Sequence, residues 1–501
     1  MMDAVLDALP DSMLEELMRA VDVLKTSSRI LAVSHIDSDG IAALAIIVQA
    51  LQRAGKAHSW HNIHQLNSET IITVRELVRE KKPDVVVFSD FGTGQMHLIQ
   101  QFIANEDGVN CVIVLDHHLP DNGELTGPRT KSDSIIEINP WLHNMSGSYE
   151  LSGAGTAFLM AYGLSRENLD LTEMAIVGAS GDLQDYYGKG FTGLNKVIVE
   201  AGEKGGFIEV EKDLRFFGIN TRPLPYLLQY ATDPYLPGLT GNGDACLAFF
   251  NEIGIPLKDS DDTWRMWVDL TSEEKSQVVQ HLIGIILDSY EDSRVASGII
   301  GDVITLAHRP PRTVLRSAKE FSTLLNACGR NRKPEIGVEI CLGNKVAYRE
   351  GMVLLKQHRS NLATALHRLE TQGYREMPGM YVVDDPETPD TIIGIVIGMA
   401  QGSRMVPIDK PVIGIATNRS VEGPTIKISG RAHKSIVDLG VNLRDVFVDV
   451  SDKLNSGNSE LVAEAGGHPM AAGAFVHEDF LLEFLERISE RIDQIFAYKN
   501  G

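Results

Sequence analysis

Four times in its first 185 residues the chain runs through apolar residues and stops abruptly on carboxylates or imidazoles. The segments are "ILAVSHIDSDG" (30–40), "VVVFSDFGTGQ" (85–95), "CVIVLDHHLP" (111–120) and "AIVGASGDLQD" (175–185). Continuous apolar runs of this length read as strands buried on both faces. Helical patterns lie between them, such as "GIAALAIIVQALQRAG", which closes on Gly55. The alternation argues for a mostly parallel sheet with helices on both faces. In such sheets ligands bind beyond the carboxyl ends of the strands, where all four acidic segments fall.

The remaining chain divides by pattern. Residues 11–25 have the apolar spacing of an amphipathic lead-in helix. From about 205 to 335 the sequence turns rich in Pro and aromatics, then reads as helical over "DDTWRMWVDLTSEEKSQVVQHLIGIILDSY". Thr271 and Glu274 there form a capping-box pattern. Residues 345–372 read as a long connecting helix. Strands return from 377 to 476 in "GMYVVDD", "TIIGIVIGMA", "PVIGIAT", "TIKISGRA" and "GAFV", and a helix over 478–497 follows. The expected organisation is an α/β chain in four parts. Residues 1–204 form a domain with a mostly parallel sheet. Residues 205–335 form a mostly helical insert, 336–376 a connector helix, and 377–501 a smaller α/β domain. A cleft is expected between the two α/β domains.

A chain of 501 residues favours two or three domains. With 43% apolar and 23% charged residues it has the balance of a soluble globular protein. No window approaches eighteen consecutive apolar residues, so no membrane span is expected, and the N-terminus lacks a signal-peptide pattern. The four cysteines form no CxxC pair. They fit a reducing cytoplasmic setting rather than a disulfide framework or zinc ribbon. The net charge of −22 excludes binding of nucleic acid by overall phosphate neutralisation, so any such binding needs a local basic groove. Most of the acids read as a solvated surface.

The acidic strand ends offer His35, Asp37, Asp39, Asp90, Asp116, His117, His118, Asp182 and Asp185. Singly, each has a plain structural reading: a lone Asp at a strand end is usually a helix cap or turn residue. Jointly, in one βα array, they would crowd carboxylates that repel unless positive charge sits among them. Divalent cations supply that charge. Oxygen-rich donors suit Mg²⁺ or Mn²⁺, and added imidazole tilts the choice toward Mn²⁺. Two ions about 3.5–4 Å apart could activate a water and hold both oxygens of a phosphoester displacement.

"SHIDSDG", "SDFG", "LDHH" and "GDLQD" resemble, in order and spacing, the four motifs of the DHH phosphoesterase superfamily. "GGHPMAAGA" (466–474) resembles the GGH motif of its second domain, DHHA1. Within the superfamily the chain is similar to the archaeal RecJ-like single-strand nucleases of the GINS-associated type. That likeness is carried by "INPWLHNMSGSYELSGAGTA" (138–157), "TRPLPYLLQYATDPYLPGLTG" (221–241) and "EFSTLLNACGR" (320–330). The resemblance implies that Asp37, Asp39, Asp90, His117 and Asp182 bind two Mn²⁺ or Mg²⁺ ions, with Asp90 bridging. His35 would bind metal or orient a ligand, and Asp116 would be a ligand or a group behind one. His118 would contact the scissile phosphate, and Asp185 would stand behind the ligands. Arg431, Gly466, Gly467 and His468 would hold a substrate phosphate. Independently, adjacent glycines let backbone N–H groups approach a phosphate, although such a pair also serves as a tight turn.

The leading expectation is a hydrolase, a metal-dependent exonuclease on single-stranded DNA or RNA using a two-metal activated water, linked to DNA replication or repair. The alternatives are a phosphodiesterase of short oligonucleotides or cyclic dinucleotides, and a helicase scaffold that binds GINS or other replication proteins, with partner contacts sought at 205–335. "HSWHNIH" (58–64) reads as an exposed strand or loop, and the basic islands "RPPR" (309–312) and "RNRK" (330–333) as solvated loops or parts of a nucleic-acid path.

Overall fold

The computed structural model describes residues 4–500 except 121–133, 186–189, 232–233, 235, 290–295, 297, 418–424 and 459–460. It divides into two compact units. One is Met1–Gln229 with Gly241–Leu355; the other is Tyr230–Thr240 with Lys356–Gly501.

The first unit is built on a five-stranded, wholly parallel sheet of order β2-β1-β3-β4-β5. Its strands are β1 (Arg29–Ser34), β2 (Ala57–Asn62), β3 (Val85–Ser89), β4 (Cys111–Leu115) and β5 (Ile135–Ile138). Every residue of β3 and β4 is buried, as their uninterrupted Val and Ile content requires. The register pairs Ser34 with Ser89 and Ser89 with Leu115. The three strands therefore end in one row, and the residues that follow them leave the sheet at one edge.

On one face pack α1 (Asp11–Thr26), α2 (Ser38–Arg53), α5 (Gly153–Leu164) and α6 (Thr172–Gly181); on the other pack α3 (Thr70–Lys81) and α4 (Met96–Phe102). The expected fourth strand, "AIVGAS", is not a strand: these residues lie in α6. All of Thr172–Ala179 is buried. A helix enclosed on every side has no apolar stripe, and its sequence reads like that of a buried strand.

After α7 (Gly193–Gly205) the middle region mixes α8 (Leu224–Gln229), α9 (Gly243–Glu252) and α10 (Ser272–Ser289) with an antiparallel ribbon. The ribbon pairs β6 (Ile208–Leu214) with β7 (Ile300–Leu306) and was not visible in the helical pattern. The capping box is present: Thr271 N–H donates to Glu274 Oε2 at 2.8 Å, and Glu274 N–H to Thr271 Oγ1 at 3.2 Å. The "RPPR" arginines are engaged in ion pairs, Arg309 with Glu173 and Arg312 with Asp269. Then come α11 (Ala318–Arg330), α12 (Pro334–Cys341) and α13 (Lys345–Gln372), the last matching the expected connecting helix.

The second unit holds a six-stranded mixed sheet of order β12-β13-β11-β10-β9-β8. Its strands are β8 (Arg375–Met377), β9 (Met380–Asp384), β10 (Val412–Thr417), β11 (Thr425–Arg431), β12 (Ala463–His468) and β13 (Ala471–His477). "TIIGIVIGMA" is again helical, as α14 (Ile393–Gly402), and misled the strand reading for the same reason as α6: almost every residue is apolar. It packs on one face of the sheet; α16 (Leu443–Ser456) and α17 (Leu481–Asn500), which follow the short α15 (Lys434–Asp438), pack on the other. Among the described residues, no helix is long and apolar enough to cross a membrane.

Candidate metal centre

The row of strand ends gathers the acidic side chains. Asp37 caps α2, its Oδ1 accepting from Gly40 N–H at 3.0 Å. Asp39 follows in the first turn and is wholly buried. Its two oxygens accept from Gly153 N–H at 2.6 Å and Ala154 N–H at 3.0 Å, the first amides of α5. That helix start helps to carry negative charge. A Cβ on Gly153 would lie 2.9 Å from Asp90 Oδ1 and 3.0 Å from Asp39 Oδ2, so only glycine admits both carboxylates here. Asp90 turns off β3 with φ +62°, a left-handed conformation that Asp tolerates better than most residues. Its N–H donates to Leu115 O across the strand row. Asp182 sits at the C-terminal end of α6.

Two donor groups result, and they share Asp90. In one, His35 Nδ1 lies 2.9 Å from Asp37 Oδ2 and 3.4 Å from Asp90 Oδ2. In the other, His117 Nε2 lies 3.2 Å from Asp90 Oδ1, 3.2 Å from Asp182 Oδ2 and 3.7 Å from Asp39 Oδ2. Within each group the donor atoms fall inside 4.8 Å of one another. Asp90, His117 and His118 form a third such group. Asp90 Oδ2 is buried and makes no hydrogen bond, a cost that a cation would remove. Carboxylates and imidazoles converging around such an atom fit a divalent ion of the Mg²⁺ or Mn²⁺ type.

The electrostatics agree. Burial, then the charges of Asp182 and Asp90, push the Asp39 carboxyl well above its usual range; burial and Asp37 push Asp90 up. Burial opposes charging of His117 and His35, but the carboxylates facing them prevail and raise both well above 6.5. Burial would likewise raise Asp37, but His35 outweighs it and holds the carboxyl low. Without a metal, the cluster keeps its charges apart by holding protons.

Asp116 has a different place. Its Oδ1 accepts from the backbone N–H of His117 at 2.7 Å and of His118 at 3.1 Å, and its Oδ2 from Thr93 N–H at 2.9 Å. His118 Nδ1 lies 2.8 Å from the same Oδ1. Asp116 belongs to none of the donor groups found among the described residues; it fixes the two histidines. Asp185 is ion-paired with Arg215 at 2.7 Å. Of the "HSWHNIH" histidines, His58 and His61 lie on the sheet-edge strand β2, while exposed His64 stands with its ring 6.4 Å from that of His35.

The sequence reading missed the residues that orient His117. Its Nδ1 donates to Gly147 O at 2.7 Å, which turns Nε2 toward the carboxylates. Gln184 donates to the same carbonyl at 2.8 Å and is held by Asn195 at 2.6 Å. Gly147 and Gln184 lay inside motifs already singled out, but only the fold brings them to one imidazole.

In the second unit, β13 lies between β11 and β12, and both Arg431 and His468 pair with Ala471. The two side chains share a row and a face, two strand spacings or about 9.5 Å apart. The next row on that face is Ser429, Gly473 and Gly466, where a Cβ on Gly466 would meet nothing within 4 Å. Gly467 has φ +131° just before His468. "GGHPMAAGA" is thus a hairpin of two strands. Lys427 lies in the following row, its Nζ 4.1 Å from the Phe475 ring centre.

Family models match this chain in three places. The DHH family N-terminal domain covers residues 29–181, the DHH-CID domain 216–299 and the DHHA1 domain 379–497. The chain carries DHH, DHH-CID and DHHA1 domains. It is 28% identical over 472 residues to an uncharacterized protein of Methanocaldococcus jannaschii, covering 94% of this chain and 95% of that one. Its fold is similar to that of RecJ from Thermus thermophilus, solved with Mn²⁺, at a TM-score of 0.56 and 17% identity. That likeness covers 96% of this chain and 55% of that RecJ, so the chain spans about half its length. The same RecJ is also solved with Mg²⁺. Cdc45 of Entamoeba histolytica is similar at a TM-score of 0.60 and 12% identity, over 96% of this chain and 98% of that one. The DHH match spans every residue of the donor groups except Asp182, which follows it directly; the DHHA1 match spans Arg431, Gly466, Gly467 and His468.

Proposed function

We propose that this DHH–DHHA1 protein is a metal-dependent phosphodiesterase that removes nucleotides from an end of single-stranded DNA or RNA. The observation that carries the reading is the pair of donor groups meeting at Asp90. His35, Asp37 and Asp90 would hold one divalent ion, Mn²⁺ or Mg²⁺; Asp39, Asp90, His117 and Asp182 would hold the other. A pair of such ions supplies an activated water and positive charge for the oxygens of a phosphoester. Gly147 and Gln184 keep His117 Nε2 aimed at the carboxylates. Asp116 fixes the His118 ring and, with burial opposing it, helps raise its pKa. His118, with 41% of its side chain exposed, would donate to a phosphate oxygen at the scissile bond. Arg431, His468 and the bare backbone at Gly466 and Gly467 would bind a further phosphate of the strand. The four-part division at 205, 336 and 377 is kept as a proposal, with the middle part serving long substrates.

The test is product sizing over time with Mn²⁺ on DNA and RNA strands labelled at one end or the other. Early mononucleotides from one end are expected. A chain that bound Mn²⁺ but cut only two-nucleotide substrates would instead be a short-oligonucleotide or cyclic-dinucleotide phosphodiesterase. A second reading is favoured by the Cdc45-like fold: a replication scaffold that binds GINS or a helicase. It predicts no cleavage of either substrate length, and capture of such a partner through residues 205–335.

A further inference from the structure

The metal reading gives α11 no task, yet this helix touches α2 and α6, two of the elements that carry the acidic ligands. Ser322, Asn326 and Gly329 follow i, i+4, i+7 spacing and share one helix face. Asn326 Oδ1 accepts from Ser38 N–H at 3.1 Å. Ser38 follows Asp37 directly and opens α2, so its N–H has no partner within its own helix. Gly329 lies against the preceding residue: a Cβ there would stand 1.8 Å from Ile36 O and 3.7 Å from Asp37 Cα. A Cβ on Gly181, the residue before Asp182, would lie 1.6 Å from Ser38 Oγ and 3.5 Å from Ser322 Cβ. Segments 36–38, 181 and 322–329 thus meet with no side-chain padding that could absorb a shift.

The other end of α11 is anchored as firmly. Ser317 caps it, and Glu320, 1% exposed, accepts from Asn220 N–H at 3.2 Å and from Thr221 Oγ1 at 2.5 Å. Asn220 and Thr221 lie at the start of the DHH-CID match. About one and two-thirds helical turns separate Glu320 from Asn326.

We infer that α11 is the positioning element of the metal-binding loop, and that Asn326, through Ser38 N–H, holds Asp37 in place beside His35 and Asp90. The inference rests on the two-ion reading of the site. Removing a group that orients metal ligands typically lowers affinity 10–100-fold. One hydrogen bond acting on one of two donor groups should give the low end.

Mn²⁺ is titrated into the full-length protein and the free ion counted by electron paramagnetic resonance, with metal-free melting as a control on folding. The wild type is expected to bind two ions. Asn326→Leu keeps the volume but loses the acceptor, and should weaken one ion about tenfold while leaving the other unchanged. Asn326→Asp keeps the acceptor oxygen and should bind both ions at least as tightly as the wild type. Gly329→Ala should lose affinity for the same single ion as Asn326→Leu. Unchanged affinity in a folded Asn326→Leu protein, or equal losses in Asn326→Leu and Asn326→Asp, would overturn the inference. Fewer than two ions on the wild type would overturn the two-ion reading itself, before any variant is compared.

Discussion

Asp90 is the residue whose loss should separate metal binding from folding. It belongs to every donor group found among the described residues, whereas Asp182 belongs to one. An ion bound only by the folded protein stabilises it by about 2.7 kcal/mol at a free concentration a hundred times its dissociation constant. Two ions give about 5 kcal/mol. For the unit of Met1–Gln229 with Gly241–Leu355 that corresponds to a rise in melting temperature of about 7 °C. Asp182→Asn should keep roughly half of that rise, because the His35, Asp37 and Asp90 group is untouched. Asp90→Asn should lose all of it. The metal-free variant should nevertheless melt no lower than the metal-free wild type. Asn accepts the left-handed φ of +62° at this position. Removing the charge also relieves a carboxyl whose ionisation burial and Asp37 already oppose. Melting with and without Mn²⁺, for the wild type and both variants, tests this directly. A full Mn²⁺ shift in Asp90→Asn would refute the shared-ligand geometry. A metal-free Asp90→Asn that melted several degrees lower would refute the electrostatic account.

The pH dependence should follow the protons that the metal-free cluster holds. Asp39 and Asp90 are raised above 3.8, so the native state keeps protons that the unfolded chain has lost, and stability falls as pH climbs. His35 and His117 are raised above 6.5, so the stability they add below that pH is lost as pH rises through their folded values. Both signs agree. The Mn²⁺-induced rise in melting temperature should therefore grow from pH 6 to pH 8.5, with protons released on binding; a pH-independent rise would contradict it. Gln184→Leu should weaken Mn²⁺ binding about tenfold by loosening the carbonyl that orients His117, measured by calorimetry. Arg431→Ala with His468→Ala should raise KM for a labelled strand about tenfold, a loss of about 1.4 kcal/mol, while the Mn²⁺ melting shift stays intact. Thr271→Ala should cost about 1 kcal/mol of stability by removing one half of the capping box, seen in denaturant melts.

What the sequence disclosed, and what it hid, follow from periodicity and chemistry. β1, β3 and β4 were legible because apolar runs of four or five residues bounded by polar residues have few other uses. α6 and α14 have similar hydropathy, but they are helices surrounded by apolar neighbours, so their stripes vanish. In the β6–β7 ribbon, β6 breaks its apolar residues with Glu, Lys and Asp and so carries little apolar signal. At the site, Asp and His announced themselves by residue type. Gly147, Gln184 and Asn195 did not, because they act through a backbone carbonyl that only the fold brings under His117. Asp116 and Asp185 had the right type and motif, but their carboxylates are engaged by backbone amides and by Arg215.

The electrostatics also bear on the choice between an enzyme and a scaffold of the same fold. Buried carboxylates that repel one another make a fold less stable than neutral residues of the same shape would. Asp39 and Asp90 are such groups here. A scaffold would gain stability by exchanging Asp90 for Asn. Strain of this kind is expected where activity requires it. The Asp90→Asn protein therefore distinguishes the two roles. If it is as stable without metal, no longer binds Mn²⁺, and still captures a replication partner, the cluster serves chemistry and the partner surface lies elsewhere. If partner capture fails together with Mn²⁺ binding, the ions hold the shape that the partner recognises.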